Sequence, residues 1–104
     1  MLLNNGRIVM DSMAVYKELA ANIIKHQESI IGPIAVERAK NVNGLKLDWN
    51  TKTFEFSGNP KIVIAELVEE YKTLFGQISV EVCKEAAAPY ISGLSQDDIP
   101  AVLQ

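Results

Sequence analysis

Three carboxylates, one thiol and one imidazole are the side chains whose type and spacing invite a chemical reading. Glu66, Glu69 and Glu70 stand at i, i+3 and i+4, which on a helix brings them to one face where they could share a cation or a proton. A carboxylate metal centre in a helical bundle also needs Glu-x-x-His pairs on facing helices, and the chain contains no Glu-x-x-His. The three glutamates are therefore read as a solvated acidic face. Cys83 is the only cysteine and His26 the only histidine. A reactive thiol needs cationic neighbours to lower its pKa. Cys83 has only Lys84 beside it, and its place next to Val82 fits a small buried hydrophobe. His26, next to Lys25, is read as an exposed residue, because a general base needs its partner within hydrogen-bond reach. Glycine-rich phosphate loops and nucleophile elbows do not occur. The reading has no catalytic residue, no cofactor and no metal; an enzyme using Cys83 or His26 is the least favoured function.

The element that must position Cys83 and the glutamates runs from Asn59 to Ala88, as one long amphipathic helix or two meeting at Gly76. Asn59-Pro60 is a start signal: the Asn side chain accepts from an orphan N–H, and Pro60 at the first helical position sacrifices no hydrogen bond. Ile64, Val68, Tyr71, Phe75, Ile78 and Val82 recur at steps of four and three, widened by Leu67 and Leu74, and so mark one apolar face. Such a face needs a partner.

The partner is the first half of the same chain. Shifting the sequence by 44 residues sets Gly32, Ile34, Val36, Glu37 and Lys40 on Gly76, Ile78, Val80, Glu81 and Lys84, five identities in nine positions. Upstream, Leu19, Ala21, Ile23, Ile24 and Ile30-Ile31 fall on Val63, Ala65, Leu67, Val68 and Leu74-Phe75. Repeated units bury faces that neither can bury alone, so a pseudo-symmetric, antiparallel pair is expected. Glycine inside a helix costs about 1 kcal/mol relative to Ala, so Gly32 and Gly76 mark helix junctions. Pro33 removes an N–H and disfavours helical geometry before it. A real break is expected at Gly32-Pro33 and a milder bend at Gly76.

Asn4-Asn5-Gly6 signals a turn and Arg7 to Met10 a short strand, with residues 1–12 as a frayed extension. Asp11 or Ser12 caps a first helix whose inward residues are Met13, Tyr16, Leu19, Ala20, Ile23, Ile24, Gln27 and Ile30, ending near Ile31. A second helical piece runs from Pro33 to about Asn41, with Ile34, Ala35, Ala39 and Val42 inward, and Asn43-Gly44 ends it. The period then changes to two. Leu45, Leu47 and Trp49, then Phe54 and Phe56, alternate with charged residues about Asn50-Thr51-Lys52-Thr53, the pattern of a β-hairpin with one apolar face. That hairpin either covers the helices or pairs its edge with a second copy. Pro89 and Gly93 end the last helix. In the tail, residues 93–104, Ser95 and Asp98 resemble a capping box, with Leu94 and Ile99 as a hydrophobic staple. Pro100 limits it to a turn or a short helix, docking on its own core or on a partner.

At 104 residues the chain is long enough for a single domain and short enough to gain from oligomerisation. Net charge is −3 and the ten basic residues form no run, which argues against nucleic acid. No apolar run approaches the length of a membrane span, and a cytoplasmic setting is expected.

Ile30-Ile31-Gly32-Pro33-Ile34-Ala35, followed by a helix of mixed charge, resembles a stretch found in small uncharacterised helical modules of prokaryotic proteins, some attached to kinases and response regulators. The resemblance implies a regulatory or assembly role and brings no catalytic residues. The fold expected is α+β and mainly helical: a broken helix, a β-hairpin, a long helix and a short tail. The function expected is a non-enzymatic interaction or regulatory module that forms a homodimer or engages another protein, with Trp49, Phe54, Phe56, Tyr71 and Phe75 as candidate surface. The alternative is a small-molecule sensor whose aromatic-lined pocket lies between hairpin and helices.

Overall fold

The computed structural model describes residues 11–104. They form α1 (Ser12–Ile31), α2 (Ile34–Ala39), the strands β1 (Leu45–Asp48) and β2 (Thr53–Phe56), then α3 (Pro60–Phe75) and α4 (Gln77–Ile91), with two closing 3₁₀ turns, Gln96–Asp98 and Ala101–Leu103. The architecture is α+β and mainly helical, as the periodicities predict. The turn and strand expected over residues 4–10 lie outside the described residues. Asp11 caps α1, its Oδ1 accepting from Ala14 N at 2.8 Å. Asn59 caps α3, accepting from Lys61 N at 2.9 Å, with Pro60 in the first turn.

Both junctions are full breaks. Gly32 adopts φ +80°, ψ −163° and Gly76 φ +81°, ψ −168°, a region in effect reserved for glycine. Gly32 N donates to Glu28 O at 2.9 Å and Ala35 N to Gly32 O at 3.0 Å; Gly76 N donates to Lys72 O at 2.8 Å and Ser79 N to Gly76 O at 3.1 Å. Each bond in one unit has its counterpart 44 residues away in the other. The milder bend expected at Gly76 is therefore corrected: a glycine with positive φ breaks the helix without help from proline.

The break resets the phase of the buried face. Ile64, Val68 and Tyr71 are buried as expected, but Phe75 and Ile78 lie outside, and α4 turns Ser79, Val80, Cys83, Ala86 and Ala87 inward instead. These residues are small, so α4 approaches α1 closely. Met13 and Ile30 on α1, and Ile34 on α2, are likewise exposed rather than inward, while Val15 and Val36 are buried. The continuous core consists of Leu19, Ile23 and Ile24 from α1, Ala35 and Ala39 from α2, Ile64, Leu67, Val68 and Tyr71 from α3, and the inward face of α4.

The helix α4 passes through Pro89 to Ile91, where the sequence reading placed its end. Pro89 withdraws one N–H on an exposed face, where water can serve the freed carbonyl. Tyr90 and Ile91 pack on the core and hold the last turn.

The hairpin has the register Leu45↔Phe56 and Leu47↔Phe54, which puts all four apolar side chains on one face. That face lies over α1: Leu45 and Phe54 are buried, and Tyr16 meets Phe56 edge-on at 6.4 Å. The tail docks on its own chain. Leu94, Ile99, Pro100 and Leu103 are buried, the Tyr16 hydroxyl donates to Asp98 O at 2.7 Å, and Lys61 Nζ donates to Asp97 O at 2.6 Å. The capping box does not form. Ser95 Oγ donates to the Asp98 carboxylate at 2.9 Å, and the turn it opens is 3₁₀ and stops before Pro100.

Candidate functional site

The five aromatic residues singled out in the sequence do not form one surface. Tyr71 is fully buried and Phe54 is 3% exposed, Trp49 and Phe56 are half-buried against α1, and Phe75 stands apart at the junction. Phe54 is held in the hairpin's inner face, so a charge placed there would attack the core rather than test a contact. An apolar surface is nevertheless present, built by the helix junctions Gly32, Pro33 and Gly76.

Reciprocal hydrogen bonds show how. Gln27 Nε2 on α1 donates to Ser79 O in the first turn of α4 at 3.0 Å. Tyr71 Oη on α3 donates to Ala35 O in the first turn of α2 at 2.6 Å. Residue 71 is the counterpart of 27, and 79 the counterpart of 35, so each unit anchors the other through an equivalent pair of positions. The ion pairs Glu37–Lys40 (4.0 Å) and Glu81–Lys84 (3.5 Å) are also counterparts. The two units are thus related by an approximate two-fold axis, with both glycine breaks at the same end of the molecule. Around that end the large apolar side chains point outward: Ile30 and its counterpart Leu74, Ile34 and its counterpart Ile78, and Phe75. Ile78 is 71% exposed and Ile30 63%. Burying such side chains is worth about 1.5–3 kcal/mol each. A sequence signal existed in the echo itself, because Ile30-Ile31 and Ile34 align with Leu74-Phe75 and Ile78, but periodicity assigned several of these to the core.

The groups that could do chemistry are kept apart. Glu70 pairs with Arg38 at 3.7 Å, while Glu66 and Glu69 are exposed along a shallow groove of about 280 Å³ shared with Asn41, Asn43 and Thr73. Among the described residues no cluster of three His, Cys, Asp or Glu could hold a metal ion. His26 is exposed with Nδ1 3.0 Å from Asn22 O; a carbonyl only accepts, so Nδ1 carries the proton. No described helix is long and apolar enough to cross a membrane.

Cys83 is fully buried and accepts a hydrogen bond from Gln27 Nε2 at 3.4 Å. Burial pushes its thiol up from 9.0 to about 11, against a smaller downward pull from Gln27. A thiol reagent at pH 8 should therefore label folded Cys83 only through unfolding, at a rate that tracks stability in urea. The folded state holds this proton longer than the unfolded chain, so its stabilising contribution is complete below pH 9 and lost as pH rises through about 11. The loss amounts to about 3 kcal/mol. Denaturation midpoints across this range should fall less steeply in Cys83→Ala; equal slopes would remove Cys83 from the alkaline transition.

A second concavity lies in the angle between α1, the hairpin and the end of α4, with a volume of about 320 Å³. Trp49 stands at its wall, its indole N–H donating to Glu28 Oε2 at 3.2 Å and its ring meeting Phe54 edge-on at 6.4 Å. Lys52 Nζ sits 3.8 Å from the centre of the Trp49 ring and donates to Trp49 O at 2.6 Å. The sequence reading expects a pocket between hairpin and helices lined by Trp49, Phe54, Phe56, Tyr71 and Phe75; of these only Trp49 and Phe54 line this concavity. Comparison with known proteins gives no family for the chain: no family model, curated protein or solved structure matches it.

Proposed function

We propose that this chain is a non-enzymatic interaction module that forms a homodimer through the apolar end where its two helix breaks meet. The observation that carries this reading is the exposure of Ile30, Ile34, Leu74, Phe75 and Ile78 beside the two helix breaks, at equivalent positions of the two units. The five side chains are uncharged and apolar, so the patch is complementary to a copy of itself, which an isologous contact requires. Hairpin edges are the weaker place for self-association. The strands are four residues long and their outward positions carry Lys46, Asp48 and Glu55, the short, charged edges that resist pairing. The likeness of Ile30 to Ala35 to a stretch in small uncharacterised helical modules of prokaryotic proteins, some attached to kinases and response regulators, supports a role in assembly or regulation, and the single cysteine fits a reducing cytoplasmic setting.

Light scattering across a concentration range tests the reading. The unaltered chain is expected at twice its monomer mass in the micromolar range, and the pair Ile34→Asp and Ile78→Asp at monomer mass with its helicity retained. The two positions are 40% and 71% exposed in the single chain, so the charges leave the core intact. A monomer up to about 1 mM, where even contacts worth ~4 kcal/mol would show, overturns the reading. So does a dimer indifferent to both charges.

A further inference from the structure

Three lysines converge on the aromatic wall of the groove between α1, the hairpin and α4. Lys17 and Lys25 come from α1 and Lys52 from the hairpin turn, with Trp49 and Tyr90 beside them and Glu18 the one acid of the lining. Two turns of helix separate Lys17 from Lys25, which sets both on the same face of α1. The chain as a whole carries a net charge of −3, and here three ammonium groups stand against two carboxylates, Glu18 in the lining and Glu28 behind Trp49, a local excess of positive charge on an acidic molecule. A concave site lined by one sign of charge concentrates ligands of the other.

We infer that the groove binds a small planar anion, an aromatic ring bearing a carboxylate or similar acid group. The sensor reading of the sequence foresees an aromatic-lined pocket; the lysines make its ligand an anionic one. Each part of such a ligand has its counterpart. The acid group meets Lys25 and Lys52, and the ring lies against Tyr90 and the part of Trp49 that Lys52 leaves uncovered, because aromatic walls with a few placed charges are what orient a ligand in a pocket. A volume of about 320 Å³ suits a molecule of one or two rings.

Lys52 is placed rather than merely nearby. It is the one non-glycine among the described residues with positive φ, +56°, a conformation in which glycine or asparagine would be unstrained. That backbone turn carries Nζ back over the Trp49 ring, where it makes a cation–π contact and one hydrogen bond to Trp49 O. An ammonium has three donors; with one on Trp49 O and one toward the ring, one remains for an incoming anion. Non-glycine residues held in such conformations gather at ligand sites. Trp49 is equally fixed, its N–H engaged by Glu28 on the side of α1. The indole is a neutral donor, so Glu28 keeps its negative charge and counts with Glu18 against the three lysines.

The inference is independent of self-association, since the groove shares no residue with the apolar end. Its test uses the full chain and the Trp49 indole N–H, which gives the only indole resonance in an ¹⁵N–¹H spectrum because the chain has one tryptophan. Titration with 1-naphthoate should move that resonance saturably. The neutral 1-naphthalenemethanol and the ring-free inorganic phosphate should each bind at least about tenfold more weakly, because each lacks one of the two contacts. Lys25→Gln with Lys52→Asn should weaken naphthoate by about tenfold or more with spectral dispersion preserved, asparagine being at home at positive φ. No saturable shift at millimolar naphthoate, equal binding of the neutral alcohol or of phosphate, or full binding by the double variant would each overturn the inference.

Discussion

Tyr71→Ala is expected to destabilise the protein by about 3–5 kcal/mol, read from urea unfolding by circular dichroism. Tyr71 is the largest of the fully buried side chains, and its ring fills the space where α3 faces α2. Truncation removes the transfer free energy of the ring and leaves a void that packed helices cannot close. The hydroxyl adds a second contribution, separable by Tyr71→Phe. Its bond to Ala35 O is short, 2.6 Å, and the phenol is buried enough that its pKa is raised, burial being the main cause. Removing the donor alone should cost about 1 kcal/mol. A cost below about 1 kcal/mol for Tyr71→Ala would mean that α2 does not rest on this side chain.

The second large effect belongs to the two junction glycines. Gly32→Ala and Gly76→Ala should each cost about 2–3 kcal/mol, and the pair together enough to unfold much of a domain whose total stability is on the order of 5–15 kcal/mol. A Cβ at either position would meet nothing within 4 Å, so the whole cost is conformational. Chirality provides the control. The mirror image of φ +81°, ψ −168° is ordinary extended backbone, so D-alanine introduced at Gly76 by chemical synthesis should be tolerated, or stabilise by about 0.4–1 kcal/mol through the unfolded chain. The discriminating result is equality of the two L-alanine variants. If Gly76→Ala were nearly neutral while Gly32→Ala were costly, α3 and α4 could run as one helix and only Pro33 would enforce a break.

That equality could not be read from the sequence, where Pro33 made one junction look stronger than the other. Much else could. The apolar steps of α1 and α3 fixed which faces are buried, the change of period at Leu45 located the hairpin, and alternation put Leu45, Leu47, Phe54 and Phe56 on one face, while their register is set by the turn. Gly76 was legible as a junction, but the stripe running through Phe75, Ile78 and Val82 continued in phase across it. Only the backbone at Gly76 decides that α4 is rotated to bury Ser79, Cys83, Ala86 and Ala87 in its place. Pro89 stayed in the helix because its neighbours Tyr90 and Ile91 are held by packing, a tertiary cause that local propensity does not encode. The candidate surface suffered most. Aromatic content drew attention to Phe54 and Tyr71, which the core claims, while the side chains left outside are aliphatic ones whose exposure follows from the pairing of the two units. The lysines of the groove are 27 and 35 residues apart from Lys25 and Lys17 to Lys52, and only the hairpin's seat on α1 gathers them.

The exchange in which Gln27 reaches Ser79 while Tyr71 reaches Ala35 has a kinetic side. Neither half of the chain holds its own anchor, and the two bonds span 52 and 36 residues. Local helix formation in either half therefore gains little until the hairpin has closed the loop between them, because the reward for ordering lies across the chain. The pair is therefore expected to behave as one cooperative unit, the opening of one half releasing the other.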